Sequence, residues 1–313
     1  MKFPVFDLHC DTALELLSRD GRPVKNLRSN DLHIDLTRAG ELAGYTQCFA
    51  CFTTNLFMEK PELVFERELE TIVSQIERNA DLIGLTYSTD EIEKNYAGGK
   101  MSAILTIEGP AGFGFDPALL EDLSRIGFRI TTLGWNEQNA LAGSHKTGGG
   151  LTDLGREYVM EAQRLNMLID VSHISDEAFW DIMQITTKPI IASHSNSRAI
   201  CNISRNLTDD MFRAICQTGG VAGINLYSEF LGESASLDTV CDHILHFMEI
   251  DANANHIALG GDLDGCDSLP AGFAGVQDYN KLAQRLLERG LTEEQVYNIY
   301  WNNALGVMKR CCM

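Results

Sequence analysis

Two stretches of the chain repeat one arrangement: a short apolar run, then Ser, then His. Met167–Val171 leads into Ser172-His173, and Pro189–Ala192 leads into Ser193-His194. Neutral imidazole is the commonest transition-metal ligand among side chains, and two rings brought together supply half of a tetrahedral zinc shell. A single His after an apolar run is ordinarily a solvated loop residue; its repetition in the same position argues for a pair that works together. Carboxylates stand in comparable places. His9 and Asp11 follow the run Lys2–Leu8, Glu108 follows Met101–Ile107, and Asp262 follows His256–Leu259. His9, Asp11, Glu108, His173, His194 and Asp262 suffice for two metal ions sharing one carboxylate, with one Asp left to move protons.

Such residues converge only if the elements carrying them do. Apolar runs at 2–8, 45–52, 101–107, 129–133, 167–171, 189–192, 220–225 and 256–259 read as eight buried strands separated by helical stretches. Ser175 is placed to cap a helix whose Phe179, Ile182 and Met183 share one face, which makes 167–192 a strand-helix-strand unit. Pro61 opens a long helix with an apolar stripe at Leu69, Ile72, Val73 and Ile76, and Thr152, Thr208 and Thr292 precede further helices, the last with Gln295 in capping-box spacing. Ser88 with Glu91 has the same spacing. The pattern is that of a (β/α)8 barrel, a single domain over residues 1–313, with its chemistry at the carboxyl ends of the strands. An open doubly wound sheet gives similar local signals, so closure is inferred from the chemistry. Strand alternation is expected to turn His9 and Asp11 to one side and Cys10 to the other.

The balance of charges narrows the partners. A formal net charge of −19 and a pI near 4.7 oppose binding to nucleic acid or anionic membranes, both of which need clustered Lys and Arg. The apolar run at the N-terminus is too short for a signal peptide and no stretch approaches a membrane span, so a cytoplasmic protein is expected. Nine scattered cysteines do not make a disulfide framework. Cys48 and Cys51, inside a strand, read as buried thiols, and Cys311-Cys312-Met313 lacks the spacing of a lipid anchor. The glycine-rich stretch Gly143–Gly150 lacks the Lys-Ser/Thr pair of a phosphate loop and reads as a mobile substrate loop. His243, His246 and Glu249 share a helix and are expected on its solvated outer face; His33 and His256 read as hydrogen-bonding residues. Arg198 either assists the site or pairs with an acid.

The segments FDLHCD, ILTIEG, LIDVSHIS, PIIASHS, SRNLTDD and LGGDLDG, in this order and over nearly the whole chain, resemble the membrane (renal) dipeptidase family of binuclear zinc peptidases. HIDLTRAGELAG at His33 adds to the likeness. The resemblance implies two zinc ions per chain, one on His9 and Asp11, the other on His173 and His194, bridged by Glu108. It further implies hydrolysis of dipeptides by a hydroxide bridging the metals, with Asp262 as proton shuttle and Arg205 holding the substrate's free carboxylate, a task suited to a guanidinium fork. Relatives form dimers, which implies a homodimer. One departure stands out: well-studied members carry a His after the fourth strand that contacts the scissile carbonyl, and here Trp135 takes its place. Indole donates one hydrogen bond and is never cationic. Asn136, Asn139 and His145 are the candidates to take over, and weak activity or another preferred substrate is one consequence. The same metal cage would also serve another amidohydrolase, such as an amidase or lactonase, or a non-catalytic binding protein.

Overall fold

The computed structural model describes residues 2–17, 23–56 and 60–312. The beginning of the irregular Arg19–Gly44 stretch and the terminal Met313 lie outside the described residues. Nine strands follow in chain order: β1 (Val5–Asp7), β2 (Tyr45–Phe52), β3 (Ile83–Leu85), β4 (Met101–Glu108), β5 (Phe128–Thr132), β6 (Leu168–Asp170), β7 (Ile190–Ala192), β8 (Val221–Ile224) and β9 (Ile257–Leu259). All pair in parallel. β1 lies between β2 and β9, and β2 pairs with β4 over seven residues, so eight strands close into a (β/α)8 barrel.

The ninth strand, β3, was not among the eight runs. It lies in the stretch Leu82–Tyr87 and pairs with Met101–Ala103, the first half of one edge of β4, while β5 takes the second half from Leu105 onward. A register shift between Leu105 and Thr106 marks the changeover. β4 is long enough at eight residues to serve two neighbours on one side.

Two sets of apolar side chains hold the barrel. Phe6, Leu8, Cys48, Ile104, Ile130, Leu168, Ile191, Val221 and Ala258 fill its interior, and they pack against Trp301, Ala304, Leu305 and Met308 of the C-terminal segment. That segment therefore stops the amino end of the barrel with side chains. The other face of each strand packs on the surrounding helices: Phe49 and Cys51 of β2, Ile169 of β6 and Ala192 of β7 share one cluster with Ile72, Phe179 and Ile182. Cys48 and Cys51 thus point to opposite faces of β2, and their thiols are buried and free, as read.

The caps explain where the helices start. Ser175, Thr152 and Thr208 each accept the backbone N–H three residues on, and Thr292 with Gln295 forms the reciprocal box. Ser88 accepts from Glu91 N–H, but the Glu91 carboxylate turns to the N–H of Tyr87 instead of closing the box on Ser88. No helix among the described residues is long and apolar enough to cross a membrane.

His243 overturns one expectation. It is fully buried, not solvated: Nδ1 accepts from Ser197 N–H at 3.1 Å and Nε2 donates to the Leu231 carbonyl at 3.1 Å. The helix Leu237–Ile250 turns this position inward against the loop after β7, a rotation that three-residue spacing alone does not reveal. His246 lies half-buried between Asp209 and Glu249. His256 binds the Gly220 carbonyl and His33 accepts from Asp264 N–H, while Arg198 pairs with Asp176 and leaves the site alone. Burial pushes His243 down to about 4, because the charged ring would lose its hydration there. A folded-state value below the unfolded one gives stability that is present above about pH 6.5 and lost as pH falls toward 4. His243→Gln is expected to flatten this loss, worth about 2 kcal/mol by pH 5, in urea unfolding at pH 7 and pH 5.

Candidate metal centre

Six of the expected residues meet at the carboxyl end of the barrel. Glu108 ends β4 and its carboxylate faces two ways: Oε2 stands 3.1 Å from His9 Nε2, and Oε1 stands 3.1 Å from His173 Nε2 and 3.8 Å from His194 Nε2. Asp11 and Asp262 each approach His9 Nε2 to 3.8 Å. His9 stacks on His194 with ring centres 3.8 Å apart. The route by which His9 and Asp11 converge differs from the expected alternation. β1 ends at Asp7, Cys10 bridges to Leu263, and Asp11 is already the residue before the helix Thr12–Glu15, so a turn brings the two together. Cys10 does face away, into the core outside the barrel.

Neighbours fix the tautomers of the two later rings. His173 Nδ1 lies 3.1 Å from Asn136 Oδ1, an acceptor, so that nitrogen carries the proton. His194 Nδ1 lies 2.6 Å from Ser193 Oγ, whose own proton goes to Asp170 Oδ2, so it too is protonated. Both Nε2 lone pairs then face each other across 3.0 Å and face the Glu108 carboxylate. Among the described residues none supplies a donor between them. His9 Nε2, Asp11 Oδ1 and Glu108 Oε2 are likewise buried without a hydrogen-bond partner among the described residues. Orphaned acceptors packed together are costly unless a cation lies among them. His9, Asp11 and Asp262, and separately His9, Glu108 and His194, offer ligand atoms within 4.8 Å of one another. The residues present therefore fit a divalent cation centre of the kind that imidazole and carboxylate both bind.

Proton affinities say the same thing. Burial lowers His9, yet the charges of Glu108 and Asp11 outweigh it and raise the ring well above its ordinary value. Burial, with Arg205 next for His173 and His9 next for His194, holds those two rings well below the usual range. Burial pushes Asp262 up to about 7, and burial with the Glu108 charge brings Asp11 to about 6.

The substrate residues stand around this cluster. Arg205 is buried and donates Nη1–H to Ser195 Oγ at 2.6 Å, but its Nε and Nη2 have no partner among the described residues. Trp135 is half-buried, packs edge-on against Phe52 at 5.2 Å and lies 6.3 Å from the His173 ring. Asn136 does not face open space; its Oδ1 binds both His173 Nδ1 and His145 Nε2, the latter at 2.8 Å. Asn139 binds the Leu133 carbonyl and the N–H groups of Leu141 and Ala142, which makes it a loop-shaping residue. The glycine-rich loop expected to be mobile is stitched down: Gly143 N–H binds the Gly150 carbonyl and His145 N–H binds the His173 carbonyl.

Three residues without an assigned role from the sequence shape the centre. Asp7 Oδ1 accepts from the N–H groups of His9 and Gly261, each at 3.0 Å, and its Oδ2 accepts from Tyr279. Asp170 Oδ1 accepts from the N–H groups of Ser172 and Ser193. Asn225 Nδ2 holds Asp262 Oδ2 at 2.9 Å. An Asp inside an apolar strand is the signal that could have found the first two, since a buried carboxylate needs donors. His173, Asp262 and Asp264 adopt φ values of 71°, 56° and 69°, the left-handed region that non-glycine residues seldom enter.

Comparison with known proteins places the barrel in a family. Residues 1–312 match the family model of membrane dipeptidase, peptidase family M19. Two uncharacterized dipeptidases of Schizosaccharomyces pombe are each 32% identical, one over 232 residues, the other over 300. The first alignment covers 72% of this chain and 57% of the relative, so the chain spans little more than half of that protein; the second covers 89% and 72%. A crystal structure of a metallopeptidase from Rhodobacter sphaeroides, liganded with a phosphinate mimic of the dipeptide L-Ala-D-Ala, superposes with a TM-score of 0.90. It is 26% identical, and the match covers 99% of this chain and 100% of that one. On the extent of these matches, the chain belongs to the membrane dipeptidase family, peptidase family M19.

Proposed function

We propose that the chain, acting as one barrel domain, is a zinc dipeptidase that requires a free carboxylate at the C-terminus of its substrate. His9 and Asp11 would hold one ion, His173 and His194 the other, and Glu108 would bridge them. The observation that carries the substrate class is Arg205: a buried guanidinium with two unpartnered N–H-bearing nitrogens, Nε and Nη2, beside an acidic cluster, calls for an anion brought from outside. A dipeptide's carboxylate supplies one, and a longer peptide would not present it close to the scissile bond. The dipeptide mimic in the Rhodobacter sphaeroides relative supports the same class.

Bound zinc ions supply Lewis acidity toward the carbonyl and a lowered pKa for water. The chain's own residues do the rest. Arg205 orients the dipeptide, and Trp135 with Phe52 forms an apolar wall that excludes water on one side. Asp262, held by Asn225, takes up a proton at Oδ1 and returns it to the departing amine. A cytoplasmic setting accords with nine cysteines that are all free thiols, and the proposal includes a homodimer.

Release of free amino acids from a panel of L,L and L,D dipeptides, before and after chelation, tests the reading; chelator-sensitive release is expected, and none from the corresponding dipeptide amides. Turnover of the amides at the same rate would point to another amidohydrolase. Arg205→Ala is expected to lower kcat/KM by about 2–4 kcal/mol, mainly through KM. Asp262→Asn is expected to lower kcat about a hundredfold to ten-thousandfold, with KM little changed. Zinc at a thousandfold excess over its dissociation constant should stabilise the fold by about 4 kcal/mol in thermal melts. That gain should shrink from pH 7.5 to pH 5.5, as protons on Asp262 and Asp11, near 7 and 6, compete with the metal.

A further inference from the structure

Of the two imidazoles read as holding one ion, His194 is the more deeply enclosed, with no exposed surface, and its outer nitrogen meets a side chain that the proposed reaction does not use. Ser193 Oγ stands between His194 Nδ1, at 2.6 Å, and Asp170 Oδ2, at 2.5 Å. A hydroxyl has one proton. Asp170 Oδ2 accepts it, because the other oxygen of that carboxylate is already taken by the N–H groups of Ser172 and Ser193. Ser193 Oγ is left to accept from Nδ1–H, which turns the Nε2 lone pair into the cluster. His173 is served differently, by the neutral amide oxygen of Asn136.

We propose that Ser193 is a positioning residue that passes the hold of the Asp170 carboxylate through its hydroxyl to the His194 ring, fixing the tautomer and angle with which His194 meets its metal ion. This rests on the reading of His194 as a ligand. A ring whose outer N–H is bonded, indirectly here, to a carboxylate is both oriented and made a better electron donor, and losing such a partner typically weakens metal binding about 10- to 100-fold. The device sits on one half of the centre. Among the described residues, the ring nitrogens of His9 have no hydroxyl or carbonyl partner of this kind, and its contacts run to Glu108, Asp11 and Asp262.

The test uses the full chain, stripped of metal and titrated with cobalt(II) against a chromophoric chelator, with the ligand-field spectrum recorded at each step. Wild-type protein is expected to take two ions. Ser193→Ala should weaken one of them about 10- to 100-fold and alter its spectrum, while the other ion binds within threefold of wild type. Ser193→Thr, which keeps the hydroxyl, should restore the affinity. Ser172→Ala is the control: it removes a neighbouring buried hydroxyl that binds the His194 backbone N–H at 3.2 Å, has only a 3.5 Å contact with Ser193 Oγ and touches no ring nitrogen of the two histidines. Thermal melts of the metal-free variants show that each is folded. If Ser193→Ala binds both ions as wild type does, or if Ser172→Ala weakens binding equally, the relay is wrong although the ligand set stands. If His194→Ala leaves both ions bound unchanged, the ligand reading itself fails.

Discussion

The architecture of the site depends on one carboxylate having to satisfy two neighbours at once. Glu108 has two oxygens, and each faces imidazole nitrogen on a different side of the barrel mouth. For that to happen, β4 must end at the axis with strand ends carrying His9 on one flank and those carrying His173 and His194 on the other. An open sheet would leave the first and the last of these strands far apart. Closure through β1 with both β2 and β9 brings them together, so the chemistry and the topology constrain each other.

The strand ends are also registered by carboxylates that take no direct part in the cluster. Asp7 ties the backbone of His9 to Gly261, the residue before Asp262, and Asp170 ties Ser172 to Ser193, the residues before His173 and His194. Each spans a pair of adjacent strands at the point where regular pairing stops. Local hydrogen bonds thereby continue the sheet's order into the loops, where ladder bonds no longer supply it. Buried carboxylates are used for precision at these positions, each satisfied by two backbone N–H groups on one oxygen and a hydroxyl on the other.

Much of this was readable from residues. Apolar runs located all eight barrel strands, five of them ending in ligand-type residues, because a strand buried on both faces has few polar residues until it reaches the mouth. Tyr45–Phe52 was read to the residue. The six side chains that meet at the barrel mouth were picked out from types and positions alone, and six ordered segments carried the family. What remained hidden depended on three-dimensional packing. His243 appears as a surface histidine until the loop after β7 is laid against its helix. Ile83–Leu85 is a strand only because β4 has spare edge to offer. Asp7 and Asp170 were in plain view within quoted segments, but a donor set built from backbone N–H groups leaves no mark on side-chain identity.

The left-handed backbone of His173, Asp262 and Asp264 has a consequence for substitution. Each position would be conformationally easier for glycine, and each strained residue costs on the order of 1–3 kcal/mol that the surrounding barrel must absorb. Glycine at any of them would relax the turn and remove an imidazole or a carboxylate, so backbone ease and the side chain present pull in opposite directions at these positions.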